Sequence, residues 1–162
     1  MNATMRRAVL GDEGALAELN AFVHEFHVTN KPSFFRPASR DEVAAWFRGL
    51  LEDPAVRIVI AEEGLTPVGY ASVFLHARPE NPFCHARRWF EIDQIGVRPD
   101  RQRRGIGRAL VRHVLEAAQG EGICEVELTS WCFNSGAQEA FSRLGFAPKA
   151  VRFGRELARE EE

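Results

Sequence analysis

The chain has 162 residues, 45% hydrophobic and 27% charged, enough to bury a core without metal or disulfide staples, and predicts one domain over residues 1–162. A net charge of -2 gives no global electrostatic case for nucleic acid or an anionic membrane as partner. Cys84, Cys124 and Cys132 lack the CxxC spacing of a zinc site or disulfide framework. Residues 1–7 carry arginines but no apolar h-region, and no run approaches the ~18 apolar residues of a membrane span. The expected location is cytoplasmic.

Residues 4–10 predict a short strand ended by Gly11-Asp12. A helix follows, with Leu16, Leu19, Phe22, Val23 and Phe26 at helical spacing, and Asn30-Lys31-Pro32 stops it. The loop 33–38 holds Phe34, Phe35, Arg36 and Pro37, which read equally as a core plug or a pocket wall. Ser39 or Asp41 starts a second helix to about Glu52, with Val43, Trp46, Phe47, Leu50 and Leu51 on one side. Residues 56–61 and 68–75 predict an antiparallel pair around Glu62-Glu63-Gly64, and 79–85 a loop. A strand over 89–97 is halted by Pro99-Asp100. A helix over 105–119 buries Ile106, Leu110, Val114 and Ala118 and shows solvent Arg104, Arg108, Arg112 and Glu116. A strand over 123–128, a helix over 135–144 and a last strand near 151–157 complete the order. A hairpin-rich first half joined to a βαβ second half predicts a mixed α/β fold with helices on both faces of the sheet.

The chemistry concentrates between residues 90 and 110. A strand ends, a loop wraps over it, and a helix opens on Gly105-Ile106-Gly107. Glycine there removes Cβ atoms that would hold a phosphate away from backbone N–H donors, and the helix N-terminus favours an anion. A Walker loop is excluded because Arg108-Ala109 follows Gly107. A dinucleotide fingerprint is excluded because Leu110 stands at its third glycine. A plain strand-to-helix turn with solvated arginines is the alternative reading.

Val97-Arg98-Pro99-Asp100, then Gln102-Arg103-Arg104-Gly105-Ile106-Gly107, resembles the pyrophosphate-binding motif of the GNAT superfamily of N-acetyltransferases. Asn134, Ala137, Leu144, Gly145 and Phe146 resemble the helix that closes the same fold. The resemblance covers about residues 89–146. It implies a twisted, mostly antiparallel sheet with a splayed parallel strand pair. It also implies acetyl-CoA as co-substrate, held by Gln102, Arg103, Arg104, Gly105, Ile106, Gly107 and Arg108, with Asn134 and Phe141 along the cofactor arm. Asn134 also reads as an ordinary helix cap. Backbone N–H groups near Ile95 and Val97, around a bulge at Gly96, would contact the pantetheine and polarise the thioester carbonyl.

An amine acceptor must lose a proton before attack. Strict alternation places Glu91, Asp93 and Ile95 on one strand face and Ile92, Gln94 and Gly96 on the other. By its offset from Gly105, Glu91 resembles the family's catalytic glutamate. Asp93 is the second candidate base, and pairing with arginines is the alternative for both. Family members often place a proton-donating Tyr where Phe141 stands; water, Ser142, Cys132 or the single tyrosine, Tyr70, would have to substitute.

His24 and His27 read as surface or acceptor-pocket residues, with no third ligand evident for a metal. Trp131 and Cys132 read as packing residues, and Arg87-Arg88 as a solvated pair. The expected reaction is acetyl transfer to an amine, most readily on a small molecule, with a protein N-terminus or lysine, or a non-catalytic acyl-CoA-binding module, as alternatives. A homodimer is compatible with the sequence, which does not fix the oligomeric state.

Overall fold

The computed structural model describes residues 3–157. The chain divides into two compact units, Met1–Thr129 and Ser130–Glu162. The first holds β1 (Thr4–Arg7), α1 (Glu13–Asn30), α2 (Arg40–Glu52), β2 (Val56–Glu63), β3 (Thr66–Arg78), β4 (Arg87–Val97), a 3₁₀ turn (Pro99–Arg101), α3 (Ile106–Gly120) and β5 (Val126–Leu128). The second holds α4 (Ser135–Arg143).

The five strands form one sheet in the order β1-β2-β3-β4-β5. Neighbours are antiparallel except β4 and β5, which run parallel through the α3 crossover. One face carries α1 and α2, whose Leu16, Leu19 and Phe47 bury against Val56, Ile58, Ile60 and Tyr70. The other carries α3: a Cβ added to Gly69 of β3 would meet Ile106 Cγ2 and Leu110 Cδ1, each at 3.3 Å. The predicted mixed sheet with helices on both faces is the fold observed.

Local signals explain most boundaries. Ser39 caps α2 through a reciprocal box, its hydroxyl accepting from Glu42 N–H while the Glu42 carboxylate accepts from Ser39 N–H at 2.7 Å. Asp12, at the start of α1, accepts from Val9 N–H and two Arg6 nitrogens. Arg6 holds its carboxyl below the usual range. The predicted strand over 123–128 loses its first half because Ile123 belongs to the end of α3. Ile123 N–H bonds Ala118 C=O at 2.8 Å and Gly122 N–H bonds Gln119 C=O at 3.1 Å. Gly122 has φ +68, the left-handed residue of a Schellman stop.

Other expectations are corrected. The predicted last strand over 151–157 has no regular structure. In α1 the buried residues are Leu16, Ala17, Leu19 and Asn20, whereas Phe22 and Phe26 are exposed. The buried stripe ends two turns early because only the first half of α1 lies over the sheet residues of that core. In α2 Phe47 is buried and Trp46 is exposed.

Within the second unit, Asn134 Oδ1 accepts from Ala137 N–H at 3.3 Å. A second Schellman stop ends α4: Phe146 N–H bonds Phe141 C=O, Gly145 N–H bonds Ser142 C=O, and the two phenyl rings meet with centroids 6.0 Å apart.

Candidate active site

β4 is where the site departs from regularity. Its ladder with β3 pairs Ser72 with Gln94 but Val73 with Ile92, so one step on β3 spans two on β4. The extra residue is Asp93, which places the bulge there and not at Gly96. Each side chain beyond Asp93 therefore changes face relative to those before it. Paired residues share a face, so Glu91 (opposite Phe74), Gln94 (opposite Ser72) and Gly96 (opposite Tyr70) lie together on the α1–α2 side. Ile92, Ile95 and Val97 lie on the α3 side, and the strict alternation expected from sequence is overturned.

Gly96 has a packing reason. An added Cβ would lie 2.8 Å from Val23 Cγ2 and 3.0 Å from Tyr70 Cε1. Beside it runs a buried polar chain: Asn20 Nδ2 donates to Tyr70 Oη at 2.9 Å and to Gln94 Oε1 at 3.1 Å, and Tyr70 Oη–H donates to Gln94 Oε1 at 2.8 Å. Burial pushes the phenol well up, against the opposing effect of the Asn20 bond. Tyr70 is sealed from solvent and committed to this chain, so it is no free proton donor.

The bulge also turns the backbone. Phe90 N–H bonds Glu125 C=O of the β5 side at 3.1 Å, whereas Arg98 N–H bonds Val68 C=O of the β3 side at 2.9 Å. Counting back from Arg98, alternation directs the N–H groups of Val97 and Ile95 away from β3. There β5 has already left: its pairing with β4 ends at Ile92–Leu128. Before the parting the strands are tied by Arg87, whose Nη2 lies 2.5 Å from Glu127 and 2.7 Å from Glu125, with its guanidinium 4.0 Å from the Trp89 ring centroid. Arg87 is thus a clamp, not half of a solvated pair.

The loop beyond β4 begins with the 3₁₀ turn, whose arginines are occupied: Arg98 pairs with Asp100, and Arg101 with Glu63 at 2.9 Å. Gln102 Nε2 donates to Val97 C=O at 3.2 Å. Arg103 sits at φ 61, a left-handed conformation that costs a non-glycine residue about 1–2 kcal/mol. Gly105 has φ 83 and starts α3 without any side-chain cap, leaving first-turn N–H donors open. Gly107 differs: its φ is ordinary, and an added Cβ would touch only Val97 Cγ2, at 3.7 Å. Arg103, Arg104 and Arg108 are exposed and make no ion pair among the described residues.

Two carboxylates lie just upstream. His76 Nε2 is 2.7 Å from Glu91 Oε2, without hydrogen-bond geometry. The His76 ring is stacked on Phe74 and on Trp89. Asp93 keeps an exposed surface, yet desolvation by its neighbours, helped by the Glu91 charge, raises its carboxyl above the usual range.

Next to Gln94, on the same face, a cleft of about 370 Å³ is lined by Asn20, His24, Phe34, Phe35, Glu42 and Trp46 among others. The loop aromatics are therefore a cleft wall. His24 Nε2–H donates to Arg36 C=O and His27 Nδ1–H to Val23 C=O, each at 2.7 Å. No metal-binding cluster occurs among the described residues. Sequence reading missed Asn20, Gln94, His76 and Trp46. Only Asn20 left a signal, as a polar residue inside the apolar stripe of α1.

In the second unit Trp131 stacks on Phe133, Cys132 is exposed, and Asn134 and Phe141 serve the two ends of α4.

Residues 20–146 match the Acetyltransferase (GNAT) family, and the chain belongs to that family. The N-alpha-acetyltransferase RimI of Mycobacterium tuberculosis is 35% identical over 108 residues, 67% of this chain and 63% of that protein. The chain matches between 20% and 63% of the length of its first curated relatives. Among solved structures, a tetramutant of the BH1408 protein from Bacillus halodurans superposes with TM-score 0.90 at 21% identity, covering 95% of this chain and 99% of that one. An aminoglycoside N-acetyltransferase in complex with CoA superposes with TM-score 0.75 at 19% identity, covering 98% of each chain. Both share the fold. Among the described residues no helix is long and apolar enough to cross a membrane.

Proposed function

We propose that the chain transfers the acetyl group of acetyl-CoA directly to a primary amine. The observation that carries this reading is the parting of β4 from β5 after Ile92–Leu128, immediately ahead of the uncapped N-terminus of α3. Two sets of backbone N–H donors thus follow in succession with no ladder or capping partner among the described residues. Those of Gly105, Ile106, Gly107 and Arg108 suit a pyrophosphate, with Gln102, Arg103 and Arg104 adding loop contacts and positive charge. Those of Ile95 and Val97 suit an extended pantetheine and can stabilise negative charge developing on a thioester oxygen. Gly107 fits the same reading. Neither its backbone nor its protein neighbours require glycine, so a close-approaching ligand supplies the reason that the fold does not.

Glu91 is the proposed base and His76 the residue that positions it. After the bulge, Glu91 and Gln94 occupy successive positions on one face, about 7 Å apart along the strand, so an amine seated against Gln94 comes within reach of the carboxylate directly or through one water. Asp93 is the second candidate. Acetyl-CoA supplies the acyl group, and the chain supplies orientation, charge stabilisation and the proton acceptor. The test is acetyl-CoA consumption with a panel of amines, polyamines, amino acids and peptides. Glu91→Gln should lower kcat by about 10²-fold or more while leaving acetyl-CoA affinity intact; an unchanged pH–rate profile removes Glu91 as the base. A binding-only module is the second reading, favoured by Phe141 in the place of the family's tyrosine. It predicts acetyl-CoA affinity with no transfer to any amine.

A further inference from the structure

Resting on that acetyl-transfer reading, we propose that the acceptor is a monoamine carried on an aromatic body, seated in the cleft beside Gln94, and not a polycation. The first ground is the wall. Phe34 is 66% and Trp46 64% exposed, and both line the cleft with Phe35, whose ring packs edge-on against Phe34 at 4.9 Å. Trp46 directly precedes Phe47, which is 1% exposed, so α2 places one large aromatic in the cleft and the next in the core. Contiguous exposed aromatic surface of this kind marks a binding site. Its flat faces accept an aryl ring by offset or edge-on stacking and favour a nearby ammonium.

The second ground is charge. A polyamine or an aminoglycoside presents several ammonium groups and needs several uncommitted carboxylates. Among its described lining residues the cleft has one carboxylate, Glu42, bound by the Arg36 guanidinium at 3.0 Å and by Ser39 N–H. Those partners hold it below the usual range, with the backbone bond from Ser39 leading. Beyond the lining stand the proposed base Glu91, in contact with His76, and Asp93. The neighbouring groove, about 570 Å³ between α1 and α2, adds Glu18, paired with Arg40 at 3.3 Å, and Glu25. At the floor the polar groups are neutral amides. Gln94 Oε1 already accepts two hydrogen bonds, whereas Asn20 Oδ1 accepts none among the described residues. That set suits a single amine with an apolar body.

The test compares kcat/KM for 2-phenylethylamine, a peptide with N-terminal Phe, spermidine and kanamycin, with acetyl-CoA affinity measured by calorimetry on the same protein. The first two carry the proposed chemistry, and their ratio separates a free amine from a peptide end. At least one should exceed both polycations by about tenfold or more. Trp46→Ala should raise KM for the preferred aryl amine by a similar factor without changing the KM for acetyl-CoA, and Trp46→Phe should retain the preference. Preference for spermidine or kanamycin, or an unchanged aryl-amine KM in Trp46→Ala, overturns this inference alone. Transfer to no amine removes the acetyl-transfer reading and this inference with it.

Discussion

Gly96→Ala tests whether α1 meets β4 as closely as described. The new methyl would sit 2.8 Å from Val23 Cγ2, 3.0 Å from Tyr70 Cε1 and 3.6 Å from Leu19 O. The first two distances are below van der Waals contact, and neither neighbour yields freely. Val23 is β-branched and stiff at χ1, and the Tyr70 ring is held through Oη by Asn20 and Gln94. Overpacking of this kind costs about 1–3 kcal/mol. For a chain of this size that lowers Tm by about 2–12 °C. Equilibrium urea unfolding followed by circular dichroism reads it directly. The double variant Gly96→Ala with Val23→Ala removes the nearer clash and leaves the Tyr70 one. Its loss should therefore fall short of the sum of the single losses by at least about 0.5 kcal/mol. A Gly96→Ala protein that unfolds at the wild-type midpoint would refute the close approach, and strict additivity would refute Val23 as its partner.

Gly107→Ala should leave stability unchanged or raise it by up to about 1 kcal/mol, since alanine is the better helix former and meets only Val97; Gly107→Trp should abolish acetyl-CoA binding in calorimetry while the protein stays folded, and unaltered affinity would sink the cradle assignment. Asp93→Asn has a definite sign: the folded-state pKa is raised above 3.8, so wild-type stability is lost as pH rises from the unfolded value through the folded one. The variant should match wild type in acid below that window and be the more stable above it, checked by unfolding midpoints across pH; a less stable variant at neutral pH would contradict the desolvation. Phe141→Tyr should keep the packing against Phe146 and leave the transfer rate equal or higher, read in the acetyl-CoA consumption assay; a large loss would mean that the bare phenyl is required where it packs.

The turn proposed to cradle acetyl-CoA was legible because backbone demands are written in residue types. Gly105 announces a left-handed turn, and a helix follows a strand; within the second unit, Asn134 with Gly145-Phe146 announces a capped helix with a Schellman stop. The cleft beside Gln94 was not legible. Trp46 and Phe22 fit the apolar stripes of their helices as well as any core residue does, and only the paths of α1 and α2 across the sheet leave them in solvent. Ile123 fits a strand and serves a helix stop, because the same apolar residue satisfies both. The missing last strand shows the same limit: residues 151–157 have a strand-like composition and no regular structure.

Asp93 is the residue that alternation could not handle, and it joins the two sides. In an unbulged β4, the N–H groups of Ile95 and Val97 would share the direction of the Glu91 N–H and be taken up by the ladder with β3. Glu91 and Gln94 would face opposite sides of the sheet. One extra residue reverses both parities at once. It releases two donors toward the edge that β5 vacates, and it brings the candidate base onto the face where Gln94 floors the cleft. A thioester must be polarised from one side while an amine is deprotonated on the other. For the proposed transfer, a single bulge in an otherwise regular strand would supply both orientations without any further loop. Desolvation raises the Asp93 carboxyl at that same position, and its replacement by Asn should relieve the charge while leaving the reversal of the strand in place.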